Sequence, residues 1–260
     1  MQALLFDLDG VIYQAREPIA GARESMAWVR SQGIPHLFVT NTTSRPLSWL
    51  QNRLREMDIP AEADQILTPA RVARRWLTRQ TAGPVALFVP DRTLEDFAGL
   101  PLLPRGATSG AAAVVIGNLG KAWDYALINR AFLLLMADPQ IPLVALGIPR
   151  YWMGPEEELR LDAGPFVAAL EYATGRKAIV LGKPAAAFYQ AALEILGTPA
   201  EETVMVGDDI CGDVDGAQRA GLKGLLVRTG KFRPSDLEAG VEPMAVLDSI
   251  ADLPKWWQNN

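Results

Sequence analysis

Two acidic motifs in this chain are spaced as though they meet around one cation. Asp7 and Asp9 close the run Ala3-Leu4-Leu5-Phe6-Asp7-Leu8-Asp9-Gly10, whose apolar part reads as a strand buried on both faces. The glycine behind them permits a tight turn. Far along the chain, Val204-Met205-Val206 runs into Gly207-Asp208-Asp209, with Asp213 and Asp215 close behind. Either motif alone also reads as a solvated loop or a helix cap. At strand ends of one parallel sheet they would share an edge, where ligands of open α/β sheets collect. Asp7, Asp9, Asp208 and Asp209 crowded there cannot all stay ionised without a cation.

The rest of the composition narrows that cation and the chemistry. The 260 residues include one histidine, His36, and one cysteine, Cys211. A multi-histidine or thiolate metal centre and a disulfide framework are excluded, which leaves oxygen ligands and a hard ion such as Mg²⁺. His36, mid-strand, is expected to be structural, and Cys211 to be a small buried residue without thiolate reactivity. Thr40-Asn41-Thr42-Thr43-Ser44 offers hydroxyl and amide donors at a strand-to-helix junction, and reads either as a phosphate cradle or as a plain turn. Gly182-Lys183-Pro184 sets one of only six lysines at another such junction. Together these residues suit phosphoryl transfer, in which a carboxylate must approach a phosphate dianion and the repulsion must be removed. Asp7 would be the nucleophile and form an aspartyl-phosphate. Asp9 would protonate the leaving group and then activate water. Asp7, Asp208 and the backbone carbonyl of Asp9 would hold the metal, with Asp209 and Asp213 behind them. Thr40, Asn41 and Lys183 would bind the phosphate.

The elements that position these residues alternate strand and helix. Strands are expected near 3–8, 35–40, 65–68, 85–89, 112–116, 142–146, 179–181, 203–206 and 224–227. Helices are expected near 21–31, 44–57 with Ser44 as N-cap, 69–78, 123–137, 164–173, from Pro184 to 196, and up to Ala220. This pattern predicts an α/β fold, a doubly wound parallel sheet with helices on both faces. Asp9 and Thr40 are 31 residues apart, which a turn, a helix and a strand fill. Thr40 and Lys183 are 143 apart, and core elements need roughly 40–45 of these. About 100 residues remain, the size of a small domain. The expected division is a catalytic core of residues 1–79 and 179–260 with an inserted α/β cap of residues 80–178. Such a cap would exclude water and limit substrates to small molecules.

In order along the chain, Asp7-Leu8-Asp9-Gly10-Val11, Thr40-Asn41, Gly182-Lys183-Pro184 and Gly207-Asp208-Asp209 with Asp213 match the four motifs of haloacid dehalogenase-like phosphatases. The resemblance spans nearly the whole chain. Residues 163–172 and 228–236 look like the subgroup of phospholysine phosphohistidine inorganic pyrophosphate phosphatase. That resemblance implies Mg²⁺-dependent phosphate hydrolysis, an α/β cap at the inserted position and often a homodimer. Some subgroup members carry Ser where this chain keeps Asp9.

Thirty acidic against 25 basic residues give a net charge of −5, so nucleic acid and anionic membrane are not expected partners. The start of the sequence lacks a basic, cleavable leader, and the apolar run 131–136 is far short of the roughly 20 residues of a membrane span. A cytoplasmic setting is expected. Arg45, Arg150, Tyr151, Trp152 and Asp162 are candidates for reading the leaving group, or else surface or dimer contacts. Two rival readings use the same residues: a receiver-like module that stores phospho-aspartate, and a non-catalytic binding protein.

Overall fold

The protein is described here by a computed structural model covering residues 1–153 and 158–260. In chain order the elements begin with β1 (Ala3–Asp7), the short ribbon β2 (Tyr13–Gln14) and β3 (Glu17–Pro18), α1 (Ala22–Ser31) and β4 (His36–Val39). These are followed by α2 (Leu47–Glu56), β5 (Ile66–Leu67), α3 (Pro69–Gln80), β6 (Val85–Phe88), β7 (Ala113–Ile116), α4 (Tyr125–Ala137) and β8 (Leu143–Ala145). A hairpin of β9 (Tyr151–Met153) and β10 (Leu159–Leu161) precedes α5 (Ala163–Thr174), β11 (Ile179–Val180) and α6 (Ala186–Leu196). The chain closes with β12 (Thr203–Gly207), a π-helical turn at Ile210–Asp215, α7 (Gly216–Arg219), β13 (Lys223–Val227), β14 (Ala245–Leu247) and α8 (Leu253–Gln258).

Two units divide these elements. The first comprises residues 1–40, 47–67 and 183–260. Its sheet runs in the order β14-β13-β12-β1-β4-β5, parallel throughout. Every residue of β1 is buried, as an apolar run without alternation requires. Leu4 and Phe6 join Met26 and Val29 of α1, Leu50 and Leu54 of α2, and Leu253 of α8 in one apolar cluster. Trp256 and Trp257 pack against it. Elsewhere in the unit α6 packs on β4 and α7, and the 210–215 turn packs on β12 and β13. Each fully buried Leu or Phe contributes about 1.5–3 kcal/mol relative to exposure, so this cluster is the main source of the unit's stability.

The second unit comprises residues 41–46 and 68–182. It carries a four-stranded parallel sheet, β11-β8-β7-β6, with α4 and α5 packed together in its own apolar cluster, and the antiparallel β9–β10 pair. The architecture is therefore α/β, a parallel-sheet core with a smaller inserted α/β unit. The division falls after Leu67 and after Gly182, where the sequence suggested 79 and 178. The difference arises because α3 packs on residues 91–97 of the second unit.

Local departures have local causes. The helix expected from Ser44 starts at Leu47. The one expected from Trp123 starts at Tyr125, because Asp124 takes the N-cap and its Oδ1 accepts the Leu127 N–H at 2.7 Å. The helix expected to follow the second acidic motif opens as the π-helical turn. Both Asp213 N–H and Val214 N–H donate to Asp209 O, at 2.9 and 3.3 Å, and Tyr189 Oη donates to the carbonyls of Gly212 and Asp213 at 2.7 and 3.2 Å. Such turns recur inside helices at functional sites.

Candidate active site

Sheet register brings the acidic motifs together. Phe6 pairs with Val206 and Asp7 with Val39, so one step further along sets Asp7 beside Gly207 with Asp208 next. Asp7, Asp208 and Asp213 are all buried, and each offers a carboxylate oxygen such that the three lie within 4.8 Å of one another. Lys183 Nζ donates to Asp7 Oδ1 and to Asp213 Oδ1, both at 2.6 Å. One buried cation against three buried carboxylates leaves the cluster short of positive charge.

The glycines are what allow this approach. A Cβ on Gly10 would stand 2.0 Å from Asp208 Oδ2, and so would one on Gly230, while one on Gly207 would meet Asp213 Cβ at 2.2 Å. Gly10 also has a φ of +88°, which L side chains rarely adopt. The loop at Gly230 is tied to the first motif through Thr229 Oγ1, which donates to Gly10 O. Its Lys231 N–H donates to Asp208 Oδ2 at 2.7 Å.

Crowding shows in the proton affinities. Asp208 is pushed up to about 7, first by burial and then by the charges of Asp7 and Asp213. Burial raises Asp213 as well, against the pull of Lys183. Lys183 is disfavoured as a cation by burial, yet Asp213 and Asp7 more than reverse this and its pKa is raised. Burial would also raise Asp209, but the Gly212 N–H at 2.8 Å and Lys231 overcome it and hold the carboxyl low. Asp9 is exposed at the strand end. The surrounding protein nevertheless desolvates it enough to raise its pKa, against Lys231, Lys183 and a hydrogen bond from Tyr13.

The donor set fits a hard divalent cation. All three clustered ligands are carboxylates, and Asp208 Oδ1 is buried with no hydrogen-bond partner among the described residues. An orphaned buried carboxylate oxygen is costly unless a cation or water meets it. Asp213, expected to stand behind the ligands, presents an oxygen to the same triangle and also holds Lys183.

The other expected residues have these local surroundings. Thr40 is buried directly after β4, and its N–H donates to Leu67 O at 3.2 Å. Asn41 opens the part of the chain grouped with the second unit, where a Cβ on Gly182 would come within 2.9 Å of its Oδ1. Asp162 caps α5, its Oδ1 accepting the Ala163 N–H at 2.6 Å. Arg150, Tyr151 and Arg45 are exposed. His36 is structural, packed edge-on against Phe6 and Phe38 with Nδ1 2.9 Å from Ile34 O. Cys211 is exposed rather than buried, since it sits at the outer start of the π-helical turn. Its thiol pKa is raised, by local desolvation and then by Asp209 and Asp215.

Sequence reasoning missed Tyr13, Tyr189 and Lys231. A lone tyrosine carries no spacing signature, and Lys231 acts on Asp208 through its backbone N–H, which any residue but proline supplies.

A haloacid dehalogenase-like hydrolase family model matches residues 4–100, and a HAD-hydrolase-like model matches residues 180–253. Human haloacid dehalogenase-like hydrolase domain-containing protein 2 is 41% identical over 238 residues, 92% of this chain and 88% of that protein. Human phospholysine phosphohistidine inorganic pyrophosphate phosphatase is 37% identical over 240 residues, 91% of this chain and 86% of that protein. Among solved structures, the p-nitrophenyl phosphatase from Archaeoglobus fulgidus superposes with a TM-score of 0.89 at 26% identity, covering 98% of each chain. With its two acidic strand ends, its buried lysine and relatives matched along almost its full length, the chain belongs to the haloacid dehalogenase-like hydrolases.

Proposed function

We propose that this chain is a Mg²⁺-dependent phosphatase that hydrolyses a small phosphorylated metabolite through an aspartyl-phosphate on Asp7. The carrying observation is the buried triangle of Asp7, Asp208 and Asp213 oxygens beside Lys183. The named activities of the phosphatase relatives support the same reading. Asp7, Asp208 and Asp213, with the backbone carbonyl of Asp9, would hold Mg²⁺, which when bound neutralises carboxylate and phosphate charge.

Lys183 fixes Asp7 through Oδ1 and, with Thr40 and Asn41, receives the phosphate oxygens. A carboxylate oxygen of Asp7 attacks phosphorus in line with the leaving oxygen, and the bond to that oxygen breaks as Asp9 delivers a proton to it. The raised pKa of Asp9 favours a proton being there to give. Asp9, now ionised, takes a proton from water, whose oxygen attacks the phospho-aspartate and regenerates Asp7. The inserted unit belongs to the proposal as the cap that keeps substrates small, and a cytoplasmic homodimer is the setting that the resemblance implies.

The test is p-nitrophenyl phosphate turnover with Mg²⁺, combined with acid-quench trapping of phosphate on the protein. Native protein should turn over and show a rapidly exchanging label on Asp7. Asp7→Asn should lose both label and turnover, by more than about 10³-fold. Undiminished turnover in that variant would overturn the reading, and a label that persists for minutes would favour the receiver-like module instead.

A further inference from the structure

Within the second unit lies a cavity of about 880 Å³, in the range of small-molecule sites. Six cationic side chains line it: Arg45, Arg92, Arg105, Lys121, Arg130 and Arg160. Asp91 is the one acid among the described lining residues. In a chain with a net charge of −5, this concentration runs against the whole.

The internal partners of Arg92 and Arg130 do not dispose of their charge. Arg105 pairs with Asp91 and Arg160 with Glu158, which offsets two. Arg130 is held by neutral carbonyls, its Nε donating to Ala107 O at 2.9 Å and its Nη2 to Pro104 O at 3.1 Å. Arg92 Nε likewise donates to Ser44 O at 2.7 Å. These bonds aim the guanidinium groups without neutralising them. Burial lowers the Arg130 pKa, and the neighbouring charge of Arg105 adds to the effect. Two lining donors, Trp152 Nε1 and Arg160 Nε, are buried with no hydrogen-bond partner among the described residues. Unmet buried donors are costly, and acceptor oxygens in the cavity would satisfy them.

The remaining lining is apolar. Phe88, Leu103, Leu127 and Trp152 contribute to it, with Arg130 Cζ 5.0 Å from the Phe88 ring centre and Arg160 Cζ 5.5 Å from that of Trp152. Guanidinium groups stacked on aromatic rings beside an apolar wall suit a ligand that is both charged and organic.

We infer that this cavity binds a small organic polyanion, whose phosphate or carboxylate groups meet the arginines and whose apolar body meets the Phe88–Trp152 wall. The lining contains none of the clustered acids; Arg45 and Trp152, candidates above for reading the leaving group, belong to it, so the test must separate this binding from the proposed phosphoryl site.

Titration calorimetry of the full chain with the β,γ-imido analogue of ATP, which resists hydrolysis, tests this without requiring turnover. One equivalent should bind, and should still bind when orthovanadate saturates the proposed phosphoryl site. Adenosine and inorganic phosphate should each bind at least about tenfold more weakly than the analogue. Arg105→Glu with Lys121→Glu should weaken the analogue at least about tenfold, leaving p-nitrophenyl phosphate turnover unchanged. If that variant does not fold by circular dichroism, Arg92→Gln with Lys121→Gln replaces it, with weakening of at least about threefold expected. Absence of binding at millimolar analogue, its loss under orthovanadate, phosphate binding as tightly as the analogue, or a folded variant that binds unchanged would each overturn the inference.

Discussion

Asp208 keeps one carboxylate oxygen buried and, among the described residues, unpartnered within reach of two other acids, an arrangement that costs stability until a cation arrives. Asp208→Asn removes one of three like charges, so the metal-free variant should melt higher than the native chain, by about 2 °C or more. Mg²⁺ should raise the melting temperature of the native chain, and do so far less for the variant. Differential scanning fluorimetry with and without chelator reads both, and a variant that melts lower without metal would contradict the crowding. Asp9→Asn should still allow Asp7 to be phosphorylated but should slow departure of poor leaving groups. Its rate deficit should therefore shrink from about 10²–10⁴-fold on an alkyl phosphate towards little on p-nitrophenyl phosphate. A deficit equal on both would remove Asp9 from the acid role. At this scale the sequence was most informative where a residue type has few other uses at a strand end, as with Asp7, Asp208 and Lys183. It was silent where function rests on shape or backbone, as with Gly230 beneath Asp208 and Tyr13 against Asp9.

Strands were legible wherever an apolar run ended in a polar turn, as at Leu4-Leu5-Phe6 and Val204-Met205-Val206. β14 escaped because its three residues are only half-buried and follow a proline-containing loop. The β2–β3 ribbon escaped because two-residue strands have no period to read. Helix starts shifted according to which side chain caps. Asp124 settles the start of α4, and Asp124→Ala should cost about 1 kcal/mol in urea unfolding. Ala at the neighbouring exposed Ala126 is already native, so propensity there offers no compensation. The π-helical turn could not be anticipated from spacing, since it depends on Tyr189 reaching across from α6 to take two carbonyls.

For the molecule as a whole, the inserted position of the second unit followed from counting residues between motifs, while its edges followed from packing that counting does not register. The single histidine makes one part of the pH response attributable. Burial lowers the His36 pKa below its ordinary value near 6.5, so the folded protein resists a proton that the unfolded chain accepts. Stability should therefore fall as pH drops below about 6.5, and His36→Gln should lack that part of the fall. Unfolding free energies of the two proteins at pH 8 and pH 5 give the difference, and parallel curves would contradict it. No helix among the described residues is long and apolar enough to cross a membrane. The pairing of Ala3 with Thr203 carries a further consequence for biosynthesis. The N-terminal strand leaves the ribosome long before its β12 neighbour has been translated, and until then Leu4, Leu5 and Phe6 have an unfilled flank. While the segment from β1 to β12 is translated, the nascent chain carries a wholly buried strand half-partnered, a period in which holdase chaperones would find their ligand.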